Sequence, residues 1–560
     1  MKRKCTSTVS IVSIIFLMSC TGKKDDQSIR NDLAAIELSR GDITLCGVGK
    51  DQFGSVSFTS ACSEDVRDNF NLALALLHSF EYTEAEKMFA KVVDQDPSCA
   101  MGYWGIAMCN FHPLWSPPTQ ADLQKGAKVI KLGRAVVDES SAASDYLEAI
   151  AVIYDHADSI DHRVRLSKFE KASERIFDKY PDDAEAAIFY ALALDAAVDP
   201  TDKSFKNQRK AGAILNKLFE EKPNHPGVAH YLIHNYDYPE LAEEGLPAAR
   251  KYASIAAASA HAQHMPSHIF TRLGLWDESI ESNIKSVDAA RCYAEKSGLK
   301  AHWDEELHGL DYLIYAYLQK GDDAKALEQL KYLNSIQTVS PVNFKAAYSL
   351  AAGSARYALE RRDWSSAAAL TVTPAGFPWD KFLWEQANIH FAKALGAVHI
   401  NKIADAKKDL QKLEALLAKL QEQNETYKAN LVSIQVKAAG AWIKFKENKK
   451  SEAIAMMNEA SFMEDATAKH PVTPGEVLPA RELLGDMYMA ISDPKSALKE
   501  YEASLRTHPN RFNGLYGALV ASRSINDIEK LAYYKQKLAA NNFLGDRPQM
   551  EIFKEIPIKM

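Results

Sequence analysis

Eight of the sixteen histidines in this 560-residue chain fall between His225 and His308. His230 and His264 are 34 residues apart, and so are His234 and His268. Within each segment the two histidines lie four residues apart, so on a helix they share a face one turn from each other. Imidazoles so placed can do three kinds of chemistry. Neutral rings, joined by a carboxylate, suit zinc, copper, nickel or iron, and two of them one turn apart can hold one ion. With phenols nearby they can hydrogen-bond a peptide or an acidic small molecule. They can also pack between helices and donate to backbone carbonyls, as satisfied core histidines do.

A periodic scaffold has to position these rings. After Ser63 the chain reads as helix almost throughout, to about Asn541, with no long alternating strand pattern. Near the C-terminus, LPARELLGDMYMAISDPKSALKEYEASLRTHP places Gly485, Tyr488, Ala497, Tyr501 and Pro509 in order. Small residues there let two helices approach, aromatics fill the gaps, and proline stops the second helix. This pattern resembles the tetratricopeptide repeat, a 34-residue helix–turn–helix unit that stacks into a solenoid. The same register recurs at Ala73, Ala85, Phe89 and Pro97, and at Tyr317, Gly321, Ala326 and Leu330. It slips around Gln120–Tyr180 and Thr371–Trp384, where irregular hairpins or insertions are expected. The predicted fold is all-α: a tetratricopeptide-repeat helical solenoid with a small N-terminal pre-repeat segment.

Residues one repeat apart line up on one surface of such an array. Setting Ser279 at the small-residue position puts His264 and His268, and His230 and His234 one unit earlier, at positions that the tetratricopeptide resemblance implies face the concave groove. The register set by Ala326 adds His308, Asp311 and Tyr315 from the next unit, and Asp237 lies one turn beyond His234. These eight residues are the candidate ligand-binding groove. For a metal the candidates are His230, His234 and His268. Pro266 disfavours helical geometry at Met265 and suits the first turn of a new helix, which assigns His264 to an approach loop. Cys109 with Met108 and His112 is a second, softer candidate set for copper.

Several stretches go beyond the generic repeat: Leu77–Tyr82 (LHSFEY), Cys99–Met108 (CAMGYWGIAM), His112–Trp115 (HPLW), and His264–Phe270 (HMPSHIF) with Arg272–Gly274. They resemble a family of secreted bacterial tetratricopeptide proteins over roughly residues 60 to 320. The resemblance implies a fold and transfers no activity.

The N-terminus implies an address. Lys2, Arg3 and Lys4 precede an apolar run, Val9–Met18, too short to span a bilayer. Leu17-Met18-Ser19-Cys20 resembles the lipobox of bacterial lipoproteins, which implies cleavage before Cys20, lipidation of that residue, and a place in the cell envelope with the membrane met only through the lipid. The expected organisation is a signal peptide over 1–19, a lipidated tether and pre-repeat lobe over 20–64, a divergent repeat array with the histidine groove over 65–340, and a C-terminal array over 341–560. An exported compartment permits disulfides, and Cys46 with Cys62, flanking a glycine-containing segment, is the expected pair. Cys99 and Cys109 are too far apart along a helix to join, about 15 Å.

A formal charge of −7 gives no electrostatic reason to expect nucleic acid. No Gly-rich phosphate loop, G-x-S-x-G elbow or H-E-x-x-H helix is present, so no enzyme class is indicated. The leading expectation is a lipid-anchored scaffold that binds a protein, peptide or small ligand in its groove. The alternative is a transition-metal-binding protein or metalloenzyme centred on the histidines. A SusD-like glycan-binding lipoprotein shares the lipobox and length, but its long loop-rich insertions are missing here.

Overall fold

Several helices in this chain begin where a side chain accepts from their unpaired N–H groups. Thr119 and Asp122 form a reciprocal cap before the Gln120–Val136 helix, Asp183 caps Ala184–Ala196, and Asp527 caps Ile528–Ala540. Several turns between helices fall on asparagines in left-handed backbone, with φ of 64° at Asn448, 59° at Asn510 and 57° at Asn526. The computed structural model describes residues 26–44, 46, 50–58, 62–114, 117–199, 202–541 and 547. Cys20 and the lipobox lie outside the described residues.

Among the described residues the chain is a succession of antiparallel helical hairpins. They run from Glu64–His78 with Tyr82–Gln95 to Phe512–Ser524 with Ile528–Ala540. Only His302–Trp303 and Val339–Ser340 pair as strand among these residues. The all-α repeat solenoid expected from the sequence is the architecture observed. No helix among the described residues is long and apolar enough to cross a membrane.

The expected small-residue contacts close the hairpins. Ala497 is fully buried, and the Tyr501 ring lies between Gly485 and Gly517, where an added Cβ would come within 2.6 Å and 2.5 Å of it. The stretch from Gln120 to Tyr180 departs from expectation. It forms regular helices at Gln120–Val136, Ala142–Tyr154 and His162–Lys179. There the close approach falls on Gly126, packed against the Tyr154 ring, so the unit is intact although its small residue is out of register. By contrast, 371–382 holds only a short 3-10 turn, Trp379–Lys381.

The array curls until its C-terminal hairpins meet its middle. Arg511 donates to the Tyr315 hydroxyl at 2.8 Å, to Glu360 at 2.6 Å and to Glu482 at 2.7 Å. Trp276 Nε1 donates to the Asn510 carbonyl at 2.9 Å. The segment between the Lys450–Ala466 and Ala480–Ala490 helices fills the inner face: Tyr312 donates to the Val472 carbonyl at 3.1 Å, and Tyr348 to that of Gly475 at 2.9 Å.

The disulfide pairing differs from expectation. Cys46 joins Cys292, with Cα atoms 5.8 Å apart, and Cys62 joins Cys99, at 5.0 Å; Cys109 is free and buried. A Cys46–Cys62 bridge needs the segment between them to double back. Instead it crosses the array, with the Ser55 amide donating to the Asn224 carbonyl and the Gln52 carbonyl accepting from Ala258. Each cysteine is thereby carried to a different helix.

Two outcomes follow. Gly517→Ala or Gly485→Ala forces a methyl group into the Tyr501 ring and should lower unfolding stability by about 1–3 kcal/mol, read from denaturant midpoints. Wild-type midpoints in both variants would contradict this packing. Proteolysis of the unreduced protein should release Cys46–Cys292 and Cys62–Cys99 peptides, and recovery of a Cys46–Cys62 peptide would contradict the path described.

Candidate metal centre

Three neighbouring units supply the rings. The Pro226–Asn235 helix presents His230 and His234, the short Ala260–His264 helix presents His261 and His264, the Pro266–Leu273 helix presents His268, and Asp304–Gln319 presents His308. Pro266 does begin a new helix, but Met265 keeps right-handed helical angles of −51° and −38°, so the chain turns on almost without a break. This corrects the assignment of His264 to a loop. A proline at the first position costs no hydrogen bond when the residue before it can stay helical, and His264 ends one turn from His268.

The rings form two trios, His230–His234–His261 and His264–His268–His308, with ligand atoms of each trio within 4.8 Å of one another. In the first, His230 Nε2 lies 3.1 Å from both His234 Nε2 and His261 Nε2. In the second, His264 Nε2 lies 3.0 Å from His268 Nε2, and the His264 and His308 ring centres are 4.2 Å apart. The trios adjoin, with 6.4 Å between the His234 and His268 ring centres. The expected metal set of His230, His234 and His268 is thus divided: the first two share one trio and His268 belongs to the other.

The opposite ring nitrogens decide where the protons are. Asn283 Nδ2 donates to the Ser279 carbonyl at 2.7 Å, so its Oδ1 is what faces His264 Nδ1, also at 2.7 Å. His264 Nδ1 is therefore the N–H. His268 Nδ1 donates to Asp237 Oδ2 at 3.0 Å, and His230 Nδ1 to the His78 carbonyl at 2.6 Å. The Tyr312 hydroxyl, 3.4 Å from His268 Nε2, gives its proton to the Val472 carbonyl. Both Nε2 atoms of the His264–His268 pair are then lone pairs aimed at each other. Such a contact is repulsive unless a cation or a shared proton sits between them. A metal with bonds of about 2.0–2.1 Å sets its nitrogens roughly 3.3 Å apart in tetrahedral geometry, close to the spacing seen.

Burial lowers the pKa of His230, His234, His264 and His308 well below the ordinary imidazole value, and neighbouring imidazoles lower them further. Burial also lowers His268, although Asp237 pulls the other way. Neutral rings are the form a metal needs. Around them, Asp237 binds Arg272 at 2.8 Å and Lys469 at 2.9 Å. Against the effect of burial, these two cations hold the Asp237 carboxyl well below its usual range. On the other flank Lys345 pairs with Glu305 and, at 2.8 Å, with Asp304; Glu305 lies 3.9 Å from His261 Nδ1. Aromatic rings line the rest: Phe80 against His230 at 4.4 Å, Tyr252 stacked on His230 at 4.9 Å, and Tyr312 against His264 at 4.7 Å.

A third cluster, His78–Glu185–His225, also has ligand atoms within metal-binding reach of one another, but its protons are all placed. His225 Nδ1 accepts from the Val228 amide, which makes Nε2 the donor to Glu185 at 2.9 Å. His78 Nε2 donates to the other Glu185 oxygen at 2.9 Å, and Tyr231 donates to His78 Nδ1. Nothing is left opposed, and this cluster is structural.

Other expected groove residues are engaged elsewhere. Asp311 pairs with Arg356 and Tyr315 accepts from Arg511, so neither faces the imidazoles. His230, His264, His268, His308, Asp237, Asp311 and Tyr315 are all buried rather than lining an open groove, and His234 is half-buried. Cys109 is buried with its thiol pushed up by burial, and Met108 is core; among the described residues neither Cys109 nor His112 joins a metal-capable group of His, Cys, Asp or Glu. Sequence reasoning missed His261, although it lies three residues before His264 and so shares a helical face with it. It also missed the orienting acceptors Asn283 and the His78 carbonyl, which carry no sequence signal.

No family model matches this sequence, and no curated protein matches it. Among solved structures, the human IFIT1 dimer with m7Gppp-AAAA is 14% identical with a TM-score of 0.35, covering 83% of this chain and 94% of that one. The human IFIT1 dimer with PPP-AAAA is 13% identical with a TM-score of 0.37 over the same shares. The P58(IPK) TPR domain is 12% identical with a TM-score of 0.20, covering 83% of this chain and 99% of that one. These likenesses are too loose to bear on function, and the repeat architecture stands on the chain's own geometry. Fold and site together define a helical-repeat protein with buried imidazole clusters.

Removing the Glu185 carboxylate by Glu185→Ala strands the N–H groups of two buried histidines. Stability should fall by about 2–6 kcal/mol, roughly 1–3 for each orphaned N–H, read from denaturant unfolding. A wild-type midpoint would contradict the placement of protons in this cluster.

Proposed function

We propose that this protein binds transition-metal ions in its two imidazole trios, and that the repeat scaffold exists to hold those rings in place. The observation that carries the reading is the His264–His268 pair: both Nδ1 atoms are committed as donors, and both Nε2 lone pairs meet at 3.0 Å in a buried site. Second-sphere acceptors that fix the tautomer in this way are the usual partners of metal-bound histidine. The lipobox-like Leu17–Cys20 supports a lipid-anchored protein of the bacterial envelope as the setting. A peptide in the concave groove is less well supported, because the segment carrying Lys469, Val472 and Gly475 fills the inner face beside the histidines.

The test is elemental analysis of full-length protein purified without a metal-affinity tag, before and after reconstitution, alongside thermal unfolding. One ion per trio is expected, and at free ion a hundredfold above Kd each bound ion stabilises the fold by about 2.7 kcal/mol. His268→Ala should lose the second trio's ion and keep that of the first. Protein that retains no ion after reconstitution, and whose unfolding temperature ignores added metal, sinks the reading and leaves a pair of rings sharing a proton.

A further inference from the structure

We infer that the ion this centre is built for is copper in its cuprous state, one per trio, held by imidazole nitrogen alone. The inference rests on the metal-binding reading above and deepens it. Imidazole by itself suits zinc, copper, iron and nickel, so the donor type does not choose among them. Charge does.

Neither trio contains a carboxylate. The six facing rings bring no negative charge to an ion, unlike sites where Asp or Glu joins histidine on the metal. Surrounding charge does not supply it either. Asp237 is already met by Arg272 and Lys469, and the adjacent carboxylates Asp304 and Glu305 share Lys345. A fourth carboxyl, Glu81, is raised by burial to about 8 and so is largely uncharged at neutral pH. Counted formally, these three charged carboxylates and three cations cancel, and the Glu185 carboxylate is taken up by the N–H groups of His78 and His225.

The pocket itself is poorly screened. His230 and His264 are essentially inaccessible, and Phe80, Tyr252 and Tyr312 supply aromatic faces where water would otherwise lie. The cost of desolvating an ion rises as the square of its charge, so a dication costs about four times what a monocation does in the same cavity. Two adjacent divalent ions would also repel each other across a short gap with no bridging carboxylate between them. Cuprous ions halve the charge, accept three nitrogen donors in a plane, and need no anion to complete the site. A divalent pair would have to bring hydroxide or another anion with it.

The decisive experiment is an anaerobic titration of the full, untagged chain with copper(I) against a chromophoric copper(I) chelator, in parallel with zinc(II) and nickel(II). X-ray absorption is then measured on the loaded protein. The expected result is one copper(I) per trio, at least tenfold more resistant to the chelator than in the His234→Ala or His308→Ala variant. Each variant should keep the ion of the other trio, which also shows that it has folded. The absorption data should show nitrogen neighbours only, at about 2.0 Å. Stoichiometric zinc or nickel with added oxygen neighbours, and copper(I) lost wholly to the chelator, would overturn this inference while leaving the metal reading intact. Failure to retain any of the three ions would overturn both.

Discussion

The arrangement of the centre depends on hydrogen bonds made by the far side of each ring. Asn283, Asp237 and the His78 carbonyl each take the Nδ1 proton of one histidine. Those bonds set ring angle and tautomer together, and they force the Nε2 atoms of His264 and His268 to face each other as lone pairs. Isolated buried imidazoles would rotate to avoid such a contact, or one ring would turn its N–H toward the other. Here each escape breaks a buried hydrogen bond, from His264 to Asn283 Oδ1 or from His268 to Asp237 Oδ2.

The helical repeat makes this possible by supplying rigid neighbours from far apart in sequence. Asn283 stands on the second helix of the hairpin whose first arm bears His264 and His268, and its own amide is pinned to the Ser279 carbonyl. His78 comes from the first hairpin of the array, and its side chain is locked by Glu185 and Tyr231. Lys469 arrives from a segment more than two hundred residues beyond Asp237 and neutralises it. The curl of the array, fastened by Arg511 on Tyr315, Glu360 and Glu482, brings that segment home. A curved solenoid that closes on its own inner face thus buries what an open one would expose.

Much of this could be read from sequence because repeats are local. Helix boundaries follow caps and turn residues, and the 34-residue spacing brought His230, His234, His264 and His268 to one place. What failed to show was non-local. Asp311 and Tyr315 occupy the expected face, but arginines 45 and 196 residues away claim them. The split of the histidines into two trios follows from His261, on a five-residue helix too short to declare its period. Cys46 finds Cys292 and not Cys62 because the intervening segment crosses the array, which depends on tertiary contacts at Asn224 and Ala258. Pro266 marked a helix start correctly, while its effect on Met265 was overridden by packing.

The central claim is that paired Nε2 lone pairs hold a cation. Anomalous X-ray diffraction from crystals of metal-loaded protein, with data on both sides of the ion's absorption edge, tests it most directly. The account predicts an anomalous peak between His264 Nε2 and His268 Nε2, within bonding distance of both, and a second peak inside the His230–His234–His261 trio. Peaks confined to surface histidines, with the His264 and His268 rings still in contact and nothing between them, would contradict it.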